Sequence, residues 1–285
     1  MMKITTSSII FLLTACSSAS ALATDTPRRV LVTGAAGQTG QHIFRKLLAK
    51  PGYAPIGTVR SEESRQALLA GTAGIGADKD ATPIPSESVV ICDITNADTS
   101  AIDELMNDCD ALMICTSAKP APTGEVNEET KRPIFGFPNG QPELVDWIGQ
   151  KNLIDAATKA KKDVHVVLCG SMGGTNPDNS LNNLGKITKS DGSVTGGDIL
   201  KWKRKSEVYL INESWICLLG TKVPLIEFVC CIYLAAVKGP GCYTIVHPGG
   251  LLNEPGNERE LCLGVDDIQC YSTPQKEVST MSLRH

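Results

Sequence analysis

Three glycines follow a short apolar run near the start of the chain. Residues 30–32 predict a buried strand, and the glycines come directly after it, where a helical pattern begins. Gly34 permits a tight turn, Gly37 lets backbone approach a pyrophosphate, and Gly40 allows the helix to pack closely on the strand. The N terminus of that helix would offer N–H groups to the phosphates. The residues predicted to bind a dinucleotide here are Gly34, Gly37, Gln38, Thr39 and Gly40.

The residue after the second predicted strand indicates which dinucleotide binds. The strand over 54–59 ends at Arg60, with Ser61 beside it, where an NAD site would carry Asp or Glu for the ribose hydroxyls. A guanidinium can hold a 2′-phosphate through two parallel hydrogen bonds. The chain is therefore predicted to bind NADP(H) in preference to NAD(H). A solvated surface arginine is the alternative interpretation of Arg60.

Polar residues also end the third, fourth and fifth predicted strands, at the edge where parallel sheets bind ligands. Asp93 is placed to meet the adenine group, and a turn cap before Thr95 is the alternative. Thr116 and Ser117 would face the cofactor ribose, and Ser171 lies at the same edge. The 11 cysteines include no C-x-x-C pair and no Cys/His cluster of zinc spacing, so no metal site is predicted.

Strands and helices alternate along most of the chain. Each strand is a near-continuous apolar run, which predicts a mostly parallel sheet covered on both faces, a doubly wound Rossmann α/β fold in one domain over 28–267. The Pro-rich and charged loop over 118–142 is too long to be structureless without a reason. The predicted strands lie at 30–32, 54–59, 89–92, 111–115, 164–169 and 243–246, and helices at 61–70, 101–106 and 144–161.

Charge and cysteine content exclude some classes of function. The net charge is −4, so a main role in nucleic-acid binding, which needs a concentrated basic face, is not expected. Cys92, Cys115 and Cys169 sit in or at the end of apolar strands, where thiols act as small hydrophobic groups. This pattern suits a reducing compartment better than a disulfide scaffold.

Residues 1–23 have the features of a signal or targeting peptide. Lys3 supplies a positive start, 9–13 an apolar centre, and 21–23 a small-residue cleavage site. The apolar centre is too short to be a good membrane span. A lipoprotein signal that leaves Cys16 lipidated and an uncleaved segment are the alternatives. Because the rest of the chain is rich in thiols, import into a plastid through the secretory pathway is our hypothesis.

Several longer stretches resemble a known family. From about residue 30 to 264 the chain resembles the atypical short-chain dehydrogenase/reductases of the plant and algal NAD(P)-binding type, which are related to NmrA-like proteins. This resemblance implies an oxidoreductase that transfers hydride with a small carbonyl or quinone-like substrate. The stretches that carry it are ELVDWIGQKNLIDAA (143–157), GSMGGTNP (170–177), ILKWKRKSEVYL (199–210) and GGLL (249–252).

The resemblance also implies catalytic residues. Commoner members of the superfamily use Tyr-x-x-x-Lys with an upstream serine; here Lys203 matches the lysine and Ser171 the serine. Ile199 then occupies the position of the tyrosine and cannot donate a proton. A non-catalytic NADP(H)-binding redox sensor or scaffold is therefore the alternative to an enzyme. A nucleotide-sugar epimerase-like enzyme, which would also need the tyrosine, ranks below both.

Two segments depart from the family. An apolar insertion over 216–237 has three interpretations: a membrane span, a retained intron or gene-model error, or an extra hairpin. It contains Lys222 and Glu227, and a central charge costs roughly 2.5–3.5 kcal/mol in a membrane, so no span is expected. The polar tail over 268–285 does not continue the family pattern. It is expected to be poorly ordered and to leave the C-terminal substrate region incomplete.

Overall fold

The structure is a computed structural model that describes residues 26–73, 83–126, 128, 131–188, 191–217, 242–248, 261–265 and 279–284. The predicted targeting segment over 1–23 and most of the predicted insertion over 216–237 lie outside the described residues. Among the helices of the described part, none is long and apolar enough to cross a membrane.

Twelve strands and five α-helices are assigned within the described ranges. The strands are β1 (Arg28–Thr33), β2 (Tyr53–Val59), β3 (Val89–Ile91), β4 (Ala111–Ile114), β5 (Ala121–Val126), β6 (Pro133–Gly136), β7 (His165–Cys169), β8 (Ile187–Thr188), β9 (Val194–Thr195), β10 (Tyr243–Pro248), β11 (Leu261–Val265) and β12 (Ser279–Arg284). The helices are α1 (Gln38–Leu48), α2 (Glu62–Leu69), α3 (Ser100–Met106), α4 (Gln150–Lys159) and α5 (Ile199–Cys217). A π-helical segment, Glu143–Gly149, leads directly into α4.

The six predicted strands are neighbours in one eight-stranded sheet, which β12 and β11 extend beyond β10. Their order is β3-β2-β1-β4-β7-β10, and all neighbouring pairs are parallel. Strands β2 and β3 lie on one side of β1, and β4, β7 and β10 lie on the other. This reversal makes a crevice at the carboxyl ends of β1 and β4, where doubly wound sheets bind ligands. The predicted Rossmann fold is confirmed.

The sheet is buried on both faces, which explains its near-continuous apolar strands. On one face, Leu31, Leu112 and Leu168 pack in a cluster with residues of α3, α4 and α5. On the other, Val32 packs in a second cluster with Phe44 of α1. Because successive side chains of a strand point to opposite faces, a strand between two helical layers must be apolar at every position.

The predicted loop over 118–142 contains a hairpin. Strands β5 and β6 pair antiparallel and project from the end of β4, with Phe135 partly exposed. A second, shorter hairpin of β8 and β9 follows β7. Phe137, directly after β6, is buried with Ala118 and Val145 in a small cluster. The long connection is thus anchored to the domain after it leaves the hairpin.

The C-terminal tail differs from the expectation. Residues 268–285 were predicted to be poorly ordered, but Ser279–Arg284 forms β12, which pairs antiparallel with β10 and parallel with β11. Its sequence alternates polar residues with Met281 and Leu283, a pattern that fits a strand. Without this partner, β10 would present unpaired backbone groups at the sheet edge, a cost that the short tail strand removes.

The close packing of α1 on β1 gives a test of the fold. A Cβ atom added at Gly40 would lie 2.2 Å from the carbonyl oxygen of Gly34, whereas one added at Gly174 would meet no atom closer than 3.5 Å. We expect Gly40→Ala to lower the free energy of unfolding by about 1–3 kcal/mol, because backbone must move. Gly174→Ala, the matched control, should change it by less than about 0.5 kcal/mol. Urea unfolding measures both, and equal stabilities would contradict the close packing.

Candidate active site

The glycine turn lies at the crevice between β1 and β4. Gly34 has a φ of 65°. The turn is closed by a hydrogen bond that Gly37 N donates to Gly34 O at 2.8 Å. A Cβ at Gly34 would lie 3.2 Å from backbone atoms of Thr116. Gln38, Thr39 and Gly40 form the first turn of α1, which contains no acidic residue. A helix N terminus without a carboxylate is suited to bind an anion.

Two buried polar side-chain atoms near the same crevice lack a hydrogen-bond partner among the described residues. The hydroxyl oxygen of Thr116 is buried and has no hydrogen-bond partner among the described residues, and neither has the side-chain oxygen of Gln150. The Gln150 amide nitrogen donates to Thr116 O at 3.0 Å, so the two side chains are neighbours. Buried polar atoms without partners are costly and commonly serve a ligand. The glycine cradle and these atoms fit a dinucleotide at this edge.

Arg60 lies where the sequence placed it, directly after β2, and its side chain is exposed. Its guanidinium donates to both oxygens of Asn139: Nη1 to the backbone carbonyl and Nη2 to Oδ1 at 3.3 Å. Ser61 caps α2 by accepting a hydrogen bond from Ser64 N. The predicted phosphate-binding arginine is therefore held at the cofactor edge by a neutral partner.

Asp93 and Ser117 make local contacts. The Asp93 Oδ1 atom accepts hydrogen bonds from Thr95 N at 2.9 Å and Thr95 Oγ1 at 2.7 Å, so Asp93 caps the turn after β3. This is the alternative role considered from the sequence, and the contact with adenine stays a prediction. The Ser117 hydroxyl donates to Ala118 O at 3.2 Å.

Lys203 is buried and forms an ion pair that the sequence analysis missed. Its ammonium Nζ lies 2.9 Å from Asp146 Oδ1, and both side chains are almost fully buried. Burial alone would lower the pKa of Lys203, but the Asp146 carboxylate outweighs it and raises that pKa above its ordinary value. Asp146 Oδ2 also accepts a hydrogen bond from Ala118 N at 3.0 Å. The lysine is thus held as a cation.

Helix α5 presents Lys203 because its first turn is fixed by Asn182. The Asn182 side-chain oxygen accepts hydrogen bonds from Leu200 N at 3.0 Å and Lys201 N at 3.3 Å. Asn182 is itself buried. Such capping sets where the helix begins and hence which way its residues point.

The end of β7 packs tightly on a second buried pair. Glu207 Oε1 lies 2.8 Å from His247 Nε2, and both side chains are fully buried. A Cβ at Gly170 would lie 2.4 Å from that carboxylate oxygen, so only glycine fits before Ser171. Arg204 pairs with the other Glu207 oxygen at 2.9 Å. The Ser171 hydroxyl, which is half-buried, donates to Met172 O at 3.3 Å.

Two thiols border the site. Cys115 follows β4 and Cys169 ends β7, and both are free. Burial raises the pKa of Cys115 to about 12 and also raises that of Cys169, while the nearby Lys203 ammonium lowers both. These thiols are therefore protonated and unreactive at neutral pH.

The structure brings some predicted residues together and adds others. Thr116 and Ser171 lie at the ends of the adjacent strands β4 and β7, and Lys203 reaches the same region. Asp146, Glu207 and His247 were not predicted as site residues. Asp146 could have been found, because a carboxylate stands among apolar residues of a stretch predicted to form one helix. Ile199 packs beside Ala118 and Phe137.

Among the described residues, no group of three or more His, Cys, Asp or Glu side chains is arranged to hold a metal ion.

The fold and the glycine turn define an NAD(P)-binding Rossmann protein. A comparison with protein families agrees: the NAD(P)H-binding family matches residues 34–215, more than half of the chain. The chain therefore belongs to this family, and its NmrA-like character, inferred from the sequence, is confirmed.

Several characterised and uncharacterised plant proteins are similar in sequence. An uncharacterized chloroplastic protein of Arabidopsis thaliana is 38% identical over 251 residues, covering 87% of this chain and 61% of that protein. Sanguinarine reductase of Eschscholzia californica is 36% identical over 259 residues, covering 84% of this chain and 75% of the reductase. The chloroplastic protein TIC 62 of Arabidopsis thaliana is 28% identical over 188 residues, covering 65% of this chain and 25% of that protein. The chain thus spans less than two thirds of the first of these relatives.

The similarity to solved structures is lower. UDP-glucuronic acid 4-epimerase from Bacillus cereus in complex with NAD has a TM-score of 0.37 and 16% identity, covering 65% of this chain and 51% of the epimerase. This similarity is too distant to inform function.

The ion pair predicts that Lys203 and Lys205 of α5 contribute very differently to stability. We expect Lys203→Met to lower the free energy of unfolding by about 3–5 kcal/mol, because it leaves the buried Asp146 carboxylate unpaired. Lys205→Met is the matched control, since this lysine is exposed and stacks on Trp147 and Trp202. Its loss should cost about 0.5–1 kcal/mol. Chemical denaturation of both variants measures this, and equal losses would exclude a dominant Asp146–Lys203 pair.

The same pair makes stability depend on pH. Because folding raises the pKa of Lys203, its contribution is complete below the unfolded value of about 10.5 and is lost as the pH rises through the folded value. We expect the stability difference between the native chain and Lys203→Met to be constant from pH 7 to 9 and to shrink above pH 10.5. A difference that instead disappears near neutral pH would mean that another group titrates.

Proposed function

We propose that this protein is an NADP(H)-dependent oxidoreductase of the atypical short-chain dehydrogenase/reductase type that acts on a small carbonyl or quinone-like substrate. The observation that carries the proposal is the set of side chains along one sheet edge. Arg60 stands where NAD-binding sites carry an acid, and Ser171 and the protonated Lys203 lie farther along. The similarity to a sanguinarine reductase supports the reaction class.

The dinucleotide, when bound, supplies hydride to the substrate or accepts it. The glycine turn would hold the pyrophosphate, and Arg60 the 2′-phosphate. Asp93 would meet the adenine group. The buried Thr116 hydroxyl, which has no hydrogen-bond partner among the described residues, is available to a ribose hydroxyl, with Ser117 beside it. Each assignment follows from the position of the residue at the carboxyl edge of the sheet.

Lys203 and Ser171 would act at the reacting end. Asp146 occupies one side of the Lys203 ammonium, and an ammonium carries three N–H donors, so it can also bind a ribose hydroxyl. Its positive charge would stabilise negative charge that develops on a substrate oxygen. The Ser171 hydroxyl would hydrogen-bond that oxygen. Since Ile199 offers no phenol, the proton would come from water or from the substrate.

The compartment is part of the proposal. We place the protein in a plastid, reached through the N-terminal signal and the secretory pathway, with lipid anchoring at Cys16 as the alternative. Two of the relatives are chloroplastic by name. The free thiols in the described part fit a reducing compartment.

A second candidate function is a redox sensor or scaffold that binds NADP(H) without turnover. The observation that favours it is the apolar Ile199, which packs in a hydrophobic cluster where an enzyme of this type would carry an acid. Steady NADPH consumption with a panel of carbonyls and quinones would support the enzyme. Tight binding without turnover across that panel would support the sensor.

The first prediction of this proposal concerns the cofactor. Arg60→Ala should weaken NADPH binding about 10- to 100-fold and leave NADH binding unchanged, because a charge-assisted hydrogen bond is worth about 1.5–3 kcal/mol. Fluorescence titration of both cofactors measures this. Arg29→Ala is the control, since this arginine lies at the amino end of β1 in an exposed ion pair. Equal weakening of both cofactors would remove the role assigned to Arg60.

The second prediction concerns turnover. With a substrate found in the panel, Ser171→Ala should lower kcat about 10²-fold or more while NADPH affinity stays within a factor of two, because the serine would act on the substrate. Ser180→Ala, at an exposed serine that begins a short 3₁₀ helix after β7, is the control. An unchanged kcat in Ser171→Ala would show that the reaction does not use this hydroxyl.

A further inference from the structure

Arg60 and Asn139 connect two distant parts of the cofactor edge. Asn139 belongs to the turn Phe137–Gly140, here named the strap, which lies between β6 and the π-helical segment. Phe137 is 6% exposed and packs against Ala118, close to the end of β4. At its other side the strap meets Arg60 at the end of β2. Since β1 lies between β4 and β2, the strap passes the carboxyl end of β1, where the glycine turn begins.

The strap is a defined turn. Gly140 N donates to Phe137 O at 3.3 Å, and Gly140 has a φ of 120°. A Cβ at Gly140 would lie 2.9 Å from Val145, so the turn also packs against the π-helical segment. Asn139 is therefore presented to Arg60 from a position fixed on both sides. The contact joins two structured elements across the crevice.

The partners of Arg60 are neutral. Its two terminal nitrogens donate to the backbone carbonyl and the side-chain amide oxygen of Asn139. A bidentate phosphate contact likewise needs two guanidinium N–H groups that point the same way. A contact between a guanidinium and a phosphate joins two full charges, whereas each bond to Asn139 has a neutral acceptor, so the phosphate contact is the stronger one. A 2′-phosphate that binds these two nitrogens would therefore displace Asn139, and a cofactor without that phosphate would not.

We propose that Asn139 is a specificity-determining residue that competes with the 2′-phosphate for Arg60, so that NADP(H), but not NAD(H), releases the strap. The inference rests on the proposed function, since it needs a dinucleotide at this edge. It goes further in assigning a residue and a movement. Release would reach Ala118 through Phe137 and so would link phosphate recognition to the residues beside Thr116 and Ser117.

Two substitutions with opposite expected effects test the competition, in titrations of NADPH and NADH into the full-length chain. Asn139→Ala removes one acceptor from Arg60 and should tighten NADPH binding about 3- to 10-fold without changing NADH binding. Asn139→Asp keeps the shape but adds a charge, and should weaken NADPH binding about 10-fold. Asn212→Ala, on the exposed side of α5, is the matched control and should change neither.

The same variants in an Arg60→Ala background separate competition from direct effects. If Asn139 acts through Arg60, neither substitution should alter NADPH affinity once Arg60 is absent. A weakening by Asn139→Asp that persists would indicate direct repulsion of the phosphate and overturn the proposal. So would an Asn139→Ala variant with unchanged or weaker NADPH binding.

A second readout follows the strap itself. Hydrogen–deuterium exchange of peptides covering 137–140 should become faster with NADPH and stay unchanged with NADH, and equal effects of both cofactors would contradict release by the phosphate. Failure of the proposed function is distinguishable from failure of the competition. If the native chain binds neither cofactor, or if Arg60→Ala leaves NADPH affinity unchanged, both proposals fall together.

Discussion

The buried ion pair between Asp146 and Lys203 holds the active-site half of the molecule together. One carboxylate oxygen contacts the lysine of α5, and the other accepts the N–H of Ala118 in the loop after β4. The carbonyl of Asp146 accepts a hydrogen bond from Ser206, one turn farther along α5. A single residue of the π-helical segment therefore fixes α5 and the end of β4. Because removing one member leaves a buried charge, the arrangement tolerates neither substitution alone.

A second buried pair attaches the same helix to the sheet. Glu207 of α5 contacts His247 of β10, and Gly170 at the end of β7 lies against both. Helix α5 is thus tied to the π-helical segment through Lys203 and to two sheet strands through Glu207. These ties hold Ser171 and Lys203 at one edge without any backbone pairing between their elements. Side-chain electrostatics therefore position Lys203, whereas glycine backbone geometry shapes the turn over 34–40.

The difference between side-chain contacts over long sequence distances and local backbone geometry explains how much the sequence could predict. The strands of the parallel sheet, the glycine turn and the position of Arg60 follow from local patterns, since apolar runs, glycine spacing and helix starts are short-range features. The contact of Arg60 with Asn139 joins residues far apart in the chain and depends on how a long connection folds back. The strand at 279–284 was missed for a related reason. This strand pairs with the edge of β10, and such a pairing cannot be read from the composition of the tail alone.

The buried pair also bears on the choice between an enzyme and a sensor. Without a phenol at Ile199, a reduction needs stabilisation of negative charge on the substrate oxygen more than it needs a strong acid nearby. Lys203 can supply that charge only if it stays protonated in a buried place, which its ion pair with Asp146 ensures. A protein that only bound cofactor would need the lysine for a ribose contact alone. An exposed lysine could serve that purpose without the cost of burying a carboxylate beside it. Under the proposed function, the buried Asp146–Lys203 pair therefore favours turnover over binding alone.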